Sequence, residues 1–178
     1  MKKKIGIVFL CIFSLSCSSD LDFNQVNDLK LEPVVVTNLA TFDVQAHQFV
    51  DGGVEQTVSG DLMDFDVFKE SFFDENLTRA DFFFEYNNTI NRGFRINIFF
   101  VDANNAAIYT IPFNIPAYSG TQNLVTKTEI FQNVKLDLLK KTSKVAFVVT
   151  LLPGPALSEN SLGSLKLRSS ATLYFVVE

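Results

Sequence analysis

The stretch SLKLRSSATLYFVV, residues 164–177, alternates apolar and polar side chains along its whole length, and it decides the fold class. Its apolar positions are Leu165, Leu167, Ala171, Leu173, Phe175 and Val177, and its polar positions are Lys166, Arg168, Ser170, Thr172 and Tyr174. Successive side chains of a β-strand point to opposite faces, so this period of two predicts a strand with one buried face and one wet face.

The same period runs upstream through residues 34–50. The even positions, predicted to form a core face, are Val34, Val36, Asn38, Ala40, Phe42, Val44, Ala46, Gln48 and Val50. The odd positions, predicted to be wet, include Thr37, Thr41, Asp43, Gln45 and His47. The Asp51-Gly52-Gly53 run that follows is typical of a hairpin turn.

Further strands are predicted between these two regions, at residues 80–89, 94–102, 106–115, 123–131 and 144–152. About eight strands with short turns predict an all-β fold, an antiparallel β-sandwich in which two sheets enclose one core. Immunoglobulin-like sandwiches and related folds differ in strand order, and the pattern leaves that order open.

Two short helices interrupt the strands. In residues 64–76, Phe65, Phe68 and Phe72 recur at helical spacing. Val134 and Leu138 do the same in a segment that starts near Asn133, a residue typical of helix N-caps.

Residues 1–17, MKKKIGIVFLCIFSLSC, open with three lysines and continue with an apolar run. The run covers residues 5–15, about half of the ~20 residues that span a bilayer. A basic start, a short apolar stretch and small residues are typical of a cleaved secretory signal.

The segment SLSC, residues 14–17, resembles the lipobox of bacterial lipoproteins, with Ser14 where that family usually has Leu. The resemblance implies a signal peptide over 1–16 that is cleaved and an acylated Cys17 that anchors the chain in a membrane. It leaves a tether over 17–30 and one β-sandwich domain over 31–178. The alternatives are an ordinary signal cut elsewhere, or a metal or redox pair of Cys11 and Cys17.

Asp20 and Asp22 follow Cys17 closely, which resembles the export signal of Bacteroidota surface lipoproteins. The resemblance implies a lipid anchor in the outer membrane of a Gram-negative bacterium. The cell surface and the periplasmic face both stay open as its location.

The charge balance bears on partners. Three of the fifteen basic residues precede Cys17, so removal of the signal leaves twelve basic against twenty acidic residues, a net charge of about −8. An acidic surface repels phosphate backbones, which argues against nucleic-acid binding. Hydrophobic residues make up 47% of the chain and charged ones only 20%, so we expect a packed core.

Catalytic groups are scarce. His47 is the single histidine and no second cysteine follows Cys17, so Ser-His-Asp, Cys-His and zinc sites cannot be assembled in their usual forms. Six carboxylates lie close together, at Asp61, Asp64, Asp66, Glu70, Asp74 and Glu75. Their spacing is not that of an EF-hand, and we interpret them as the wet face of an amphipathic segment, with calcium binding or a glycosidase-like acid pair as alternatives. We predict no cofactor, no metal and no enzymatic activity.

The chain contains 19 phenylalanines and no tryptophan. Phe83 and Phe99 fall opposite the core positions of their strands, and Phe72 and Phe73 flank a short helix. These four rings are predicted either to be covered by other elements or to form an apolar patch for an integral outer-membrane protein.

Together these features predict a lipid-anchored, non-enzymatic accessory or adaptor subunit of an outer-membrane complex. A surface-displayed module that binds glycan or calcium is the alternative. A hydrolase, the third class, would need a pair of carboxylates in a cleft.

Overall fold

The structure, a computed structural model, describes residues 30–65 and 67–177. Glu32–Val177 form one compact unit. The predicted signal peptide, Cys11, Cys17 and the predicted tether up to residue 29 lie outside the described residues. Within the described part of the chain, no helix is long and apolar enough to cross a membrane.

The described residues form ten strands and two α-helices. The strands are β1 (Val34–Gln45), β2 (Val50–Asp51), β3 (Val54–Glu55), β4 (Val58–Asp64), β5 (Leu77–Asn88), β6 (Phe94–Asp102), β7 (Ala107–Ile115), β8 (Leu124–Phe131), β9 (Thr142–Leu151) and β10 (Ser164–Phe175). The helices are α1 (Ser71–Asn76) and α2 (Val134–Lys140), and short 3-10 turns occupy Ala46–Phe49 and Val67–Lys69.

The eight long strands form two four-stranded antiparallel sheets, in the orders β1-β10-β5-β8 and β4-β9-β6-β7. This order is that of a jelly roll, a sandwich made of two Greek keys. The predicted antiparallel β-sandwich of about eight strands with short helices is therefore confirmed. The jelly roll is the member of that class that the structure selects.

Phenylalanine side chains fill the space between the two sheets. Phe82 of β5 lies 6.3 Å from Phe100 of the facing sheet and 4.9 Å from Phe131 of β8, measured between ring centroids. The predicted core face of β10 is confirmed, since Leu165, Leu167, Ala171, Leu173 and Phe175 are all buried. The excess of phenylalanine thus serves mainly the core.

The predicted core face of β1 is wrong in its first half. Val34 and Val36 are 55% and 69% exposed, whereas Phe42 and Val44 pack against the core as predicted. The pairing of β1 with β10 shifts by one residue between Asn38 and Thr41. Such a bulge places one extra residue in the strand, and every side chain on one side of it changes face.

Ser169 stabilises this bulge from the neighbouring strand. Its hydroxyl donates to the carbonyl oxygen of Ala40 at 2.7 Å and accepts from the N–H of Ala40 at 3.0 Å. Both backbone groups of the bulge residue are thereby satisfied by one buried side chain.

Two other local predictions also differ from the structure. His47 is exposed as expected, but it lies in the 3-10 turn after β1 and not on a strand face. Asn133 does precede α2, yet its φ is 52° and its side chain makes no capping hydrogen bond. Val134 is exposed, because α2 buries Leu136 and Leu139 instead.

The 51–53 turn is confirmed. Gly52 and Gly53 have φ values of 55° and 76° and connect β2 to β3. Both central residues of a type I′ turn need positive φ, which glycine adopts without steric cost.

Replacement of Ser169 by alanine should lower the free energy of unfolding by about 1–3 kcal/mol, because the half-buried N–H and C=O of Ala40 lose their partner. The neighbouring Ser170→Ala, on the outer face, should change it by less than ~0.5 kcal/mol. Urea denaturation of both variants measures the difference. Equal effects would mean that the hydroxyl of Ser169 does not hold the bulge.

Candidate binding surface

A cavity of about 480 Å³ lies between the two sheets and is partly open to solvent. Its walls come from β1 and β4, which are edge strands, and from the inner faces of β5, β6, β9 and β10. Its volume is within the range of natural ligand sites, roughly 300–1,000 Å³.

The lining of the cavity is mostly apolar. Its aromatic members are Phe65, Phe68, Phe73, Phe82, Phe84, Phe100 and Phe147. Its polar members are Thr37, Asn38, Asp64 and Ser169, and the hydroxyl of Ser169 is already bonded to Ala40. A cavity of this chemistry favours an apolar guest over a sugar or an ion.

Exposed apolar side chains lie on the two edge strands that flank the cavity. They are Val34, Val35 and Val36 of β1 and Val58, Leu62 and Met63 of β4. We call these six residues together with the cavity the open side of the sandwich. Val35 and Met63 line the cavity itself and are 46% and 38% exposed, so the cavity reaches the surface beside them.

A polar cluster occupies the opposite side, between β7 and β8. The hydroxyl of Tyr109 from β7 donates to Glu129 of β8, which also accepts from the ammonium of Lys135 in α2 at 2.6 Å. Lys127 lies 3.7 Å from the second oxygen of the same carboxylate. The cluster connects the two sheets at this side, which we call the closed side of the sandwich.

The protonation of the cluster follows from these contacts. Burial alone would raise the pKa of Glu129, but hydrogen bonds from Lys135 and Tyr109 and the charges of Lys135 and Lys127 lower it overall. Burial and the bond to Glu129 raise the pKa of Tyr109. The carboxylate therefore stays ionised, with two cations beside it.

Arg92 is a second buried charge, and it holds the loop before β10. Its guanidinium donates to the carbonyl oxygens of Leu152 and Gly154, and it pairs with Glu55 at 3.1 Å. Glu55 in turn accepts from the N–H of Leu157. All of these contacts are structural.

The four predicted patch residues do not lie together. Phe72 and Phe73 pack on Phe175, at centroid distances of 5.4 and 5.5 Å, and Phe73 lines the cavity. Phe83, 40% exposed, lies on the outer face of one sheet, in a shallow depression beside the ion pair of Arg168 and Glu85.

Phe99 lies on the outer face of the other sheet, opposite Ala146 and Thr110. Phe83 and Phe99 are therefore on opposite faces of the sandwich. Only the α1 pair borders the open side.

The described members of the acidic cluster, Asp61, Asp64, Glu70, Asp74 and Glu75, are exposed, as the predicted wet face requires. They are spread over different elements, since Asp61 and Asp64 belong to β4, while Asp74 and Glu75 belong to α1. Within residues 30–65 and 67–177, no three His, Cys, Asp or Glu side chains come close enough together to hold a metal ion.

Sequence reasoning missed the open side and the Glu129 cluster. Ser169 was one available signal, because it places a hydroxyl in the middle of the apolar face of β10. Lys127 and Glu129 were another, since they alternate with Thr126 and Thr128 and occupy the positions where β8 should be apolar.

No protein-family model matches the chain, and no curated protein matches it. Among solved structures, it is similar to the viral particle of IBDV, infectious bursal disease virus, with a TM-score of 0.45 and 12% identity over 80% of this chain and 31% of that one. It is also similar to desmodium yellow mottle tymovirus, with a TM-score of 0.33 and 8% identity over 83% of this chain and 90% of that one. A third similar structure is the enzymatically active domain of bacteriophage CBA120 tailspike protein 4, with a TM-score of 0.35 and 12% identity over 82% of this chain and 19% of that one. The chain spans about a third of the bursal virus chains. Likenesses at these scores carry no functional argument, and the fold assignment rests on the strand order.

Replacement of Glu129 by glutamine should flatten the acid dependence of stability. A carboxyl whose folded pKa is lowered stabilises the fold above its ordinary value, 4.5, and that contribution is lost as the pH falls through the folded pKa. Urea unfolding at pH 7 and at steps below pH 5 measures how the free energy of unfolding depends on pH. The exposed Glu159→Gln serves as a control and should keep the wild-type dependence. An unchanged dependence in Glu129→Gln would contradict the role given to Glu129 at the closed side.

Proposed function

We propose that this chain is a lipid-anchored, non-enzymatic accessory subunit of an outer-membrane complex in a Gram-negative bacterium, and that it binds its partner through the open side. The single observation that carries the proposal is the open side itself. Val35 and Met63 expose apolar side chains where the apolar cavity opens, and exposed apolar surface of this kind marks sites of interaction.

The chemistry of the open side supports binding and not catalysis. Of its polar groups, the hydroxyl of Ser169 is committed to Ala40, and Asp64 has no second carboxylate among the residues that line the cavity. The exposed His47 is not among the lining residues either. The cavity therefore offers an apolar surface with almost no group for acid–base or nucleophilic work.

The anchor supports the choice of a membrane-bound partner. The lipobox-like segment before Cys17 implies acylation, which would hold the domain within reach of integral membrane proteins. A tether of the kind expected at residues 17–30 permits the open side to turn toward such a partner.

Purification of the tagged full-length protein in mild detergent tests the proposal. We expect one membrane protein to accompany it in a fixed ratio and to be lost from Val35→Asp, which places a charge in the mouth of the cavity. Ile130→Asp is the matched control, because Ile130 has similar exposure, 43%, on the outer face of β8 at the closed side. This variant should keep the partner.

Absence of a stoichiometric partner would contradict the subunit function, and equal loss from both variants would contradict the role of the open side. The anchor is tested separately by Cys17→Ala. If this variant stays fully in the membrane fraction and the wild type carries no acyl label, the anchor is wrong.

A further inference from the structure

The four edge strands of the described sandwich differ in their protection against pairing with another chain. An edge strand presents unpaired N–H and C=O groups, which proteins commonly guard with proline or with charges that point inward. Pro112 lies in β7, and the inner face of β8 carries Lys127 and Glu129. The inner face of β4 carries Asp61.

β1 has no such protection in its first half. Residues 34–42, VVVTNLATF, contain no charged residue and no proline, and the first charge is Asp43. The bulge between Asn38 and Thr41 interrupts the edge and separates these two halves. The unprotected edge is therefore the five-residue stretch 34–38.

The same five residues border the cavity. Val35 and Thr37 line it, while Val34 and Val36 point to the outer face and are exposed. A strand that paired with this edge would place alternate side chains over the mouth of the cavity and the others beside Val34 and Val36.

The cavity has room for the side chains of such a strand. Its volume of about 480 Å³ lies within the range of natural ligand sites, roughly 300–1,000 Å³. Two large apolar side chains two positions apart in one strand point to the same face and can enter it together. The guest strand is therefore expected to carry apolar residues at positions i and i+2.

The charge around the cavity favours basic residues at the flanks of the bound strand. One wall of the cavity, from β4 to α1, carries Asp64. Its other described acidic residues are Asp61, Glu70, Asp74 and Glu75, against a single basic residue, Lys69. Lysine or arginine beside the apolar pair would be attracted to this wall, and acidic residues would be repelled.

We infer that the open side binds an extended segment of its partner protein, which adds as a fifth strand to the β1-β10-β5-β8 sheet at residues 34–38. The segment carries two large apolar residues at i and i+2, which enter the cavity, and basic residues at its flanks. Strand addition is an established way of binding peptides, in which main-chain bonds supply affinity and pockets supply specificity. The inference rests on the proposed function and states how its partner is bound.

Selection from a phage-displayed library of random seven-residue peptides against the full-length protein in mild detergent tests this inference. The recovered peptides should share two apolar residues at i and i+2, contain Lys or Arg, and lack Asp and Glu. They should bind Val36→Lys at least about tenfold more weakly than wild type, because lysine places a charge on this edge. The matched Ile130→Lys should bind them like wild type, and both variants should melt at the wild-type temperature.

Hydrogen exchange with one selected peptide locates the contact. The backbone amides of residues 34–38 that point away from β10 should become protected, and those of β4 and β8 should not change. Peptides without the i, i+2 pattern, equal binding to Val36→Lys, or protection at another edge would each overturn strand addition at β1.

Two further outcomes are distinguishable. A peptide-free dimer with protected amides at 34–38 would make a second copy of this chain the occupant, and it would overturn a separate partner. A native partner that is lost from Val35→Asp but leaves the amides of 34–38 unprotected would overturn strand addition while the proposed function stands.

Discussion

The contact between Tyr109 and Glu129 holds the two sheets of this sandwich together at one side. It connects the edge strands β7 and β8, one from each sheet, and Lys135 and Lys127 neutralise the buried carboxylate from α2 and from β8 itself. Two twisted sheets that are held together at one side need not meet at the other. At the other side, between β1 and β4, the structure has a cavity lined by phenylalanine.

The bulge in β1 sets which side chains of residues 34–37 face the cavity and which face solvent. Because one extra residue sits opposite Ser169, Val34 and Val36 face outward while Val35 and Thr37 face the cavity. Ser169 offsets the cost of the bulge by bonding both backbone groups of Ala40. Five uncharged residues on a free edge beside an apolar cavity favour aggregation, and a partner that covers this edge would prevent it.

Local pattern predicted much of this architecture and little of the site. The sequence directly predicted the period of two in β10, β5 and β6 and the glycine turn at 52–53, because both depend only on residues close together in the chain. The jelly-roll order depends on pairings between distant strands, such as β1 with β10, which no local period encodes. The faces of Val34 and Val36 were predicted wrongly because a bulge is set by the partner strand. Phe83 and Phe99 looked equivalent in sequence and lie on opposite faces.

The proposed binding depends on an accessible apolar cavity on the open side of the sandwich. X-ray diffraction from crystals pressurised with xenon tests this cavity directly, because xenon binds in apolar cavities. The account predicts xenon between Phe82, Phe100 and Phe147, behind Val35 and Met63, with the sheets in the arrangement described. Edge strands closed together without xenon, or ordered water in its place, would contradict it.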